Sequence, residues 1–217
     1  MFTGIIEAIG NLSAINISGE GARIVISTGS LDLSDVKLGD SIATNGICLT
    51  VVAFDNGSFS ADVSNETITR TGFANYQSGQ SVNLEKAMLP TTRFGGHMVS
   101  GHVDAVSEVL AINHDGNSIH YWISMPADLA QYIAEKGSVT IDGTSLTVNA
   151  LKPDQFRLTI VPHTTAQTII NHYRVGSKVN LEVDLIARYI ERLLHTTEKN
   201  EPAGVTHELL ARSGFIK

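Results

Sequence analysis

The sequence predicts an all-β fold of two tandem six-stranded Greek-key β-barrels, followed by a C-terminal helix. Three observations support this prediction. The chain repeats itself at one nearly constant offset of 97 residues, the distance from Val82 to Val179. Its apolar residues come in short β-branched runs separated by turn residues, which is typical of strands. After Asp184 the apolar spacing changes to that of an amphipathic helix.

The repeat is visible as matched motifs in the two halves of the chain. Residues 1–8 return as residues 98–105, and residues 45–51 return as residues 142–148. Similar composition alone does not produce matches that cover a whole half at one offset. The repeat therefore predicts two similar barrels. The predicted division is a first barrel at 1–89, a linker at 90–97, a second barrel at 98–184, an oligomerisation helix at 185–197 and a tail at 198–217.

Within the first half, strand-like runs cover residues 23–28, 48–54, 59–63 and 81–84. The pair Asn56 and Gly57 separates two of these runs and offers the positive φ that a tight hairpin needs. Some six short strands in each half close most economically into a barrel, because closure removes exposed sheet edges. Between strands, residues 65–73 and 164–173 predict one or two helical turns each.

The C-terminal helix has one apolar stripe, with Asp184 available as its N-cap. Because it follows a complete second barrel, the stripe needs another surface, and the helix of a neighbouring subunit is the preferred one. Packing on the parent barrel is the alternative. Residues 198–204 then read as a polar linker and residues 206–212 as a short helix. The stripe consists of Leu185, Ile186, Tyr189, Ile190, Leu193 and Leu194.

Composition and missing motifs exclude several classes of function. With 22 acidic and 15 basic residues the net charge is −7, which argues against a nucleic-acid or anionic-membrane surface. Cys48 is the single cysteine, so neither a disulfide nor a cysteine-rich zinc site is expected. No dinucleotide or Walker motif occurs, and His97 with His102 lacks helical metal-ligand spacing. Without a signal peptide or a long apolar run, the sequence predicts a cytoplasmic protein.

Small polar residues recur at matched positions of the two halves. On a strand, Cys48 and Thr50 share one face, and Ser145 and Thr147 repeat this arrangement. On the residues alone, packing in the core is the favoured interpretation; a face at a barrel mouth would instead bind polar ring edges. The halves differ at positions that suit chemistry, which suggests two related sites with different duties. These pairs are Ile5 and His102, Cys48 and Ser145, and Glu66 and His163.

Taken together, the motifs at residues 1–5, 45–51, 95–103 and 142–148 closely resemble those of the riboflavin synthase family. The resemblance covers both halves and the C-terminal helix. It implies a homotrimer joined by that helix, with active sites between the N-terminal barrel of one subunit and the C-terminal barrel of its neighbour. It leaves an association with lumazine synthase open.

The resemblance also implies a reaction. Two molecules of 6,7-dimethyl-8-ribityllumazine undergo a dismutation that needs no cofactor and no metal, the last step of riboflavin biosynthesis. A four-carbon unit passes from one molecule to the other, giving riboflavin and 5-amino-6-(ribitylamino)uracil. Holding both rings together makes a bimolecular step an oriented one.

Binding residues follow from the resemblance position by position. Backbone amides and hydroxyls suit a uracil-like edge and a ribityl chain. His163 departs from the pattern, because family members often carry Glu there. The N-terminal pocket comprises Gly4, Ile5, Ile6, Cys48, Leu49, Thr50, Asp62, Val63, Ser64, Asn65, Glu66 and Thr67. The C-terminal pocket comprises Gly101, His102, Val103, Ser145, Leu146, Thr147, Thr159, Ile160, Val161, Pro162, His163 and Thr164, with Lys136 nearby.

For the chemistry, the C7 methyl group of one lumazine must lose a proton while the other ring becomes electrophilic at C7. The hypothesis assigns the proton transfers to His102 with Ser145 and Thr147. Cys48 or an activated water adds to the other ring. Ser41 and Asp184 match further catalytic positions of the family, with open roles.

Two rival readings follow from the same residues. A lumazine- or flavin-binding antenna protein of this fold would bind without turnover, but such relatives lose polar residues that His102 and Ser145 preserve here. A flavin-binding barrel of the reductase type is disfavoured, because no adjoining dinucleotide domain is present.

Overall fold

The structure is a computed structural model that describes residues 1–19, 21–198 and 207–215. In this part of the chain, twelve strands form two closed barrels. The first barrel contains β1 (Ala8–Ser18), β2 (Gly21–Ser27), β3 (Ser41–Thr44), β4 (Ile47–Phe54), β5 (Ser58–Val63) and β6 (Ser81–Lys86). The second contains β7 (Ala105–Asp115), β8 (Ser118–Ser124), β9 (Ser138–Ile141), β10 (Thr144–Lys152), β11 (Gln155–Ile160) and β12 (Lys178–Val183).

Both barrels have the same strand order. Hydrogen-bonded neighbours run β1-β2-β5-β4-β3-β6 around the first barrel and β7-β8-β11-β10-β9-β12 around the second. The register repeats as well, because the irregularities at residues 12–14 and 51–53 recur at 109–111 and 148–150. The predicted all-β fold of two duplicated six-stranded barrels is confirmed.

Alternation along the strands explains why each barrel has its own core. On β5 the side chains of Phe59, Ala61 and Val63 are buried, whereas Asp62 is exposed. Since successive side chains of a strand point to opposite faces, one set fills the barrel and the other faces outwards. Phe59 and its repeat partner Phe156 are fully buried in two separate hydrophobic clusters.

Left-handed hairpin turns lie at residues 45–46 and 142–143. Asn45 and Gly46 have φ values of 47° and 76°, and Asp142 with Gly143 repeats this geometry at 42° and 79°. Two consecutive left-handed residues are the mark of a type I′ turn, which Asn-Gly and Asp-Gly favour. These turns join β3 to β4 and β9 to β10.

The hairpin predicted at Asn56 and Gly57 is present, but its expected positive φ is wrong. Gly57 lies outside the left-handed region. The carboxylate of Asp55 instead accepts the N–H groups of Gly57 and Ser58 at 2.9 and 2.7 Å. A side chain that satisfies two turn amides removes the need for left-handed backbone.

The two barrels meet where their left-handed hairpins touch. A Cβ atom placed on Gly46 would lie 2.8 Å from the backbone nitrogen of Gly143. Beside this contact, the segments 1–4 and 98–101 run antiparallel. The N–H of Phe2 donates to the carbonyl of Val99 at 2.8 Å, and the reverse bond measures 3.1 Å.

Two buried asparagines tie each barrel to the other. The side chain of Asn83 accepts the N–H of Ile169 and donates to the carbonyl of Asp142, both at 2.8 Å. Asn180 of the second barrel makes the equivalent bonds to the first barrel. Its side chain accepts the N–H of Gly72 at 2.8 Å and donates to the carbonyl of Asn45 at 2.9 Å. Because buried backbone groups need partners, these amides bind the barrels firmly together.

Short helical turns occupy the predicted places between strands. α1 (Asn65–Arg70) precedes a 3-10 turn at Gly72–Asn75, and α2 (Pro162–Gln167) precedes one at Ile169–His172. A further 3-10 turn lies at Ala130–Tyr132.

The predicted C-terminal helix is present as α3 (Leu185–Glu198), and α4 (His207–Arg212) follows it. Residues 186–217 form a unit separate from residues 1–185. Tyr189, Ile190 and Leu194 of α3 are more than half exposed. The predicted linker at 198–204 lies outside the described residues except for its first position. No helix among the described residues is both long and apolar enough to cross a membrane.

Candidate active site

The candidate residues of β4 and β10 face away from the barrel cores. On β4, Leu49 and Val51 are buried, whereas Cys48 is half-buried and Thr50 exposed. The same pattern places Ser145 half-buried and Thr147 exposed on β10, with Val148 buried. The expected core packing of the four residues Cys48, Thr50, Ser145 and Thr147 is therefore wrong. Thr50 and Thr147 are open to solvent, whereas Cys48 packs against the small buried cluster of Phe2, Ala43 and Val99.

These residues lie where two neighbouring strands part. β4 pairs with β5 only from Phe54 back to Val51, and its first four residues pair with β3. The last residues of β5, Asp62 and Val63, pair with β2 instead. We call the part of the first barrel where β4 and β5 are not paired with each other the first groove. Cys48 and Thr50 lie on its β4 side, and Asp62 and Ser64 lie on its β5 side.

The second barrel has the equivalent opening, here called the second groove. β10 pairs with β11 only as far as Val148, and its earlier residues pair with β9. Thr159 and Ile160 pair with β8. Ser145 and Thr147 therefore stand opposite Thr159 and Val161, and the side chain of Asn149 accepts the N–H of Thr159 at 2.7 Å.

A short helix follows β5 in the first barrel and β11 in the second, and the two helices begin differently. Ser64 caps α1 by accepting the N–H of Thr67 at 3.1 Å, with Asn65 and Glu66 exposed in the first turn. α2 begins with Pro162 after Val161, which makes no side-chain cap, and His163 is exposed beside Thr164. The first groove is therefore the more acidic of the two.

An ion pair occupies one wall of the first groove. Arg23 donates to both carboxylate oxygens of Asp62 at 2.7 Å. This bond lowers the pKa of Asp62, so that its carboxylate stays ionised. Because both side chains are exposed, the pair contributes little to stability. Asp62 therefore acts as a fixed acceptor of the groove.

Two glycines cross from one barrel to the groove of the other. The carbonyl of Gly4 accepts the N–H of Ser145 at 2.8 Å, and that of Gly101 accepts the N–H of Cys48 at 2.9 Å. Their φ values of 76° and 82° are left-handed, and a Cβ on either would lie 2.6 Å from the Cβ of its partner. Only glycine fits such a contact.

This exchange corrects the grouping of the predicted pockets. Gly4 was expected beside Cys48, and Gly101 beside Ser145; each glycine lies against the other groove. Val103 likewise packs against the core of the first barrel. The reason is that each segment passes across the contact between the barrels before its own first strand begins.

Buried carboxylates hold both crossing turns. Glu85 accepts the N–H and hydroxyl of Thr3, both at 2.7 Å, and the N–H of Gly4 at 2.9 Å. Glu182 accepts the N–H and hydroxyl of Ser100, both at 2.7 Å, and the N–H of Gly101 at 3.2 Å. Burial raises the pKa of both carboxyls, that of Glu182 to about 7.

A buried histidine contacts the second groove and was not among the predicted site residues. Nδ1 of His97 lies 2.7 Å from the hydroxyl of Ser145, and Nε2 lies 3.2 Å from the hydroxyl of Thr140. Burial lowers the pKa of His97, opposed by Asp184, so its imidazole is neutral at pH 7. In the tautomer protonated at Nε2, Nδ1 accepts the proton of Ser145. The motif at residues 95–103 is the only sequence signal for this role.

The remaining predicted residues lie around the two grooves. His102 is exposed, and its N–H donates to the Ser100 hydroxyl at 3.3 Å. Ile5 and Ser41 share a cavity of about 500 Å³ beside the linker. Lys136 is exposed in the turn before β9, where its N–H donates to the carbonyl of Val148 at 2.8 Å. The other positions are half-buried Ile6, Leu146, Thr164 and Asp184, and buried Leu49, Val63 and Ile160.

The grooves suit an uncharged polar ligand. Each offers a thiol or hydroxyl on one strand, hydroxyl or carboxylate acceptors on the other, and backbone of the crossing turn. Within the described residues, no three His, Cys, Asp or Glu side chains are placed to hold a metal ion. The individual roles of these residues are predictions.

Comparison with known proteins identifies the repeated unit. A family model described as a lumazine-binding domain matches residues 3–87 and again residues 100–184. Among solved structures, LumP in complex with 6,7-dimethyl-8-(1'-D-ribityl) lumazine superimposes with a TM-score of 0.76 at 25% sequence identity, covering 84% of this chain and 99% of LumP. LumP in complex with riboflavin gives a TM-score of 0.78 over the same shares.

Curated relatives match over the full chain. Riboflavin synthase of Photobacterium phosphoreum is 57% identical over 217 residues, covering 100% of both chains. Riboflavin synthase of Bacillus subtilis (strain 168) is 42% identical over 216 residues, covering 99% of this chain and 100% of the relative. The two grooves, their duplication and this similarity lead to one conclusion: the chain belongs to the riboflavin synthase family and carries two lumazine-binding domains.

Proposed function

We propose that the chain is a transferase that converts two molecules of 6,7-dimethyl-8-ribityllumazine into one riboflavin and one 5-amino-6-(ribitylamino)uracil. One observation carries the proposal: the chain builds two equivalent grooves in barrels that share one strand order and the same register irregularities. A reaction between two identical molecules needs two such sites. Full-length similarity to riboflavin synthases supports it.

The two grooves divide the work of binding. Each takes the polar edge of one pteridine ring on backbone groups and hydroxyls, with the ribityl chain along the short helix. These partners are Thr50 and Ser64 in the first groove and Thr147 and Thr164 in the second. Fixing two rings in reacting orientation lowers the entropic part of the barrier by up to about 7–11 kcal/mol in favourable systems.

The duties of the grooves differ because their reactive groups differ. Ser145, whose proton is accepted by neutral His97, and the exposed imidazole of His102 serve the removal of a proton from a C7 methyl group. The thiol of Cys48, or a water beside it, adds to C7 of the other ring. Loss of the methyl proton creates the carbanion that forms the first carbon–carbon bond to that ring, and a second carbon–carbon bond closes the new ring. The added thiol or water leaves, and the two carbon–nitrogen bonds of the donor break as its nitrogens take up protons, which releases the diaminouracil.

A homotrimer joined by α3 belongs to the same proposal, with barrels at 1–89 and 98–184 and each active site shared by two subunits. Its support is the exposed apolar side of α3, which includes Tyr189, Ile190 and Leu194. The exposure of Thr50 and Thr147 in one chain also suits grooves that a second subunit covers. Lumazine donor and acceptor would then meet between subunits.

A cytoplasmic location and an association with lumazine synthase complete the proposal. The free thiol of Cys48 is typical of a reducing compartment. Lumazine synthase would supply the substrate, and co-purification of the two proteins from the native cell tests their association.

The second candidate function is binding without turnover. The likeness to LumP, solved with a lumazine and with riboflavin, favours it. Incubating the purified protein with 6,7-dimethyl-8-ribityllumazine alone separates the two. Riboflavin and the diaminouracil in equal amounts support the transferase; tight binding without either product selects the binder.

A further inference from the structure

Two buried glutamates stand outside the chemistry proposed above. Glu85 on β6 and Glu182 on β12 are each only 4% exposed. In the described residues neither forms an ion pair with Lys, Arg or His. A buried carboxylate is costly unless hydrogen bonds compensate it. What each one binds therefore indicates why it is there.

Each glutamate binds a turn that ends in the groove of the opposite barrel. Glu182 belongs to the second barrel, and its two oxygens hold the N–H groups of Ser100 and Gly101. The carbonyl of Gly101 then accepts the N–H of Cys48, in the first barrel. Starting from Glu85 in the first barrel, the same path leads through Gly4 to Ser145 in the second.

We infer that Glu85 and Glu182 are positioning residues that act crosswise, each keeping the crossing turn of its own barrel seated in the groove of the other. Glu182 thereby sets the backbone at Cys48, and Glu85 sets the backbone at Ser145. The expected effect on turnover rests on the proposed function. The coupling between each glutamate and the groove of the opposite barrel does not depend on that function.

Chemistry explains why a carboxylate is needed at both positions. Each turn presents three donors, two backbone N–H groups and one hydroxyl, and the two carboxyl oxygens accept all three at 2.7 to 3.2 Å. A glutamine of the same shape has one accepting oxygen, and its NH₂ group would face the N–H of the glycine. Glu→Gln therefore loosens the glycine without removing volume.

Cys48, the single thiol of the chain, reports on the first groove without any substrate. In the intact protein we expect Glu182→Gln to raise the rate at which iodoacetamide alkylates Cys48 by roughly three- to tenfold, the equivalent of one lost hydrogen bond. Glu85→Gln, the symmetry-related change at equal burial, should leave this rate within about twofold. Glu108→Gln on the surface of β7 is a second control.

Moving the thiol tests the reverse direction. In the double variant Cys48→Ser with Ser145→Cys, the new thiol reports on the second groove. There Glu85→Gln should accelerate alkylation and Glu182→Gln should not. If the fold loosens in general, Glu85→Gln and Glu182→Gln will each accelerate alkylation at both thiol positions, which would overturn the inference. The inference would also be overturned if neither change accelerated alkylation at either position.

Turnover provides the independent second readout. If the protein converts lumazine, both Glu→Gln variants lower kcat by a similar factor of roughly three to ten, while Glu108→Gln does not. Crossed thiol reactivity in a protein that makes no riboflavin would refute the proposed function and keep the coupling. If the enzyme is active but neither Glu→Gln change acts selectively on the thiol of the opposite barrel, the proposed function stands and the coupling is refuted.

Discussion

The hydroxyl of Ser145 lies 2.7 Å from Nδ1 of His97, a buried imidazole that reaches the second groove from the linker side. Thr140 holds the other ring nitrogen at 3.2 Å. Because burial keeps this ring neutral, it accepts a proton from Ser145 where a charged ring could not. The thiol of Cys48 occupies the equivalent strand position in the first groove, so the duplicated sites carry different reactive groups.

Removing the imidazole should slow the reaction without unfolding the protein. We expect His97→Gln to lower kcat by about 10- to 100-fold, because proton transfer assisted by a positioned base contributes at least that much. His114→Gln, at the exposed end of β7, is the control and should keep wild-type turnover. Steady-state riboflavin formation measures both, and an unchanged kcat in the first variant would remove His97 from the mechanism.

Protonation of His97 should appear in the pH dependence of turnover. The lowered pKa of His97 places its titration below 6.5, so activity is retained as the pH falls to that value and declines beneath it. His97→Gln should abolish this part of the acid limb of kcat. If the decline of kcat at acid pH persists in His97→Gln with the same midpoint, that decline belongs to a group other than His97.

The crossing glycines should not tolerate a side chain. Gly4→Ala and Gly101→Ala combine left-handed backbone with a Cβ contact of 2.6 Å, so each should cost about 3 kcal/mol or more of the free energy of unfolding. Gly79→Ala is the matched control, since its φ is 88° with no atom within 4 Å of the new Cβ. It should cost only about 1–2 kcal/mol. Urea titration gives all three values, and equal losses would contradict the contact argument.

Asp142 should make the protein less stable as the pH rises. Burial raises its folded pKa from 3.8 to about 7, so the native state binds more protons than the unfolded chain between those values. The free energy of unfolding then falls with rising pH, by up to about 1.4 kcal/mol per pH unit for one proton. We expect Asp142→Asn to remove this contribution and to leave a smaller slope, to which the raised pKa values of Glu85 and Glu182 contribute.

The first barrel shows why that variant should fold. Its Asn45 accepts the N–H of Asn83 at 2.7 Å and donates to Tyr76 at 2.9 Å, the same two positions that Asp142 satisfies with Asn180 and Tyr173. The reverse change, Asn45→Asp, should introduce a second slope. Thermal or urea unfolding between pH 4 and 8 measures both changes. If the free energy of unfolding depends on pH in the same way in the wild type, Asp142→Asn and Asn45→Asp, the assignment of the slope to Asp142 is refuted.

Charge on the apolar side of α3 should break the proposed trimer. We expect Ile190→Glu and Tyr189→Glu to yield monomers in sedimentation velocity and to lose most of the turnover, because the grooves then lack their covering subunit. Val175→Glu, at an exposed apolar position in the second barrel, should stay trimeric and active. A trimer that survives both helix changes would place the subunit contact elsewhere.

The repeat and the short β-branched runs between turn residues were enough to predict the barrels, because both can be read directly along the chain. Residues 82–85 return unchanged as residues 179–182, in the last strand of each barrel, and the run at residues 59–63 marked another strand. Local turn chemistry was less certain. Asn56-Gly57 looked like the left-handed turn, yet Asp55 supplies its hydrogen bonds, and Asn45-Gly46 has that geometry.

The candidate site divides along the same line. Cys48, Ser145 and His102 stood out because the two halves differ or repeat at those positions. His97, Glu85 and Glu182 did not, since a lone histidine and a repeated glutamate have no distinguishing pattern. Their roles depend on which distant backbone they touch.

By itself, the sequence determined the duplication, the two closed barrels, the positions of four strands in the first barrel and the C-terminal helix. Only the tertiary structure decided that Cys48 and Ser145 face outwards, that Gly4 and Gly101 exchange grooves, and that His97 reaches Ser145. The physical reason is the contact between the two left-handed hairpins. It brings segments nearly a hundred residues apart within hydrogen-bonding distance, and no local pattern records such a meeting.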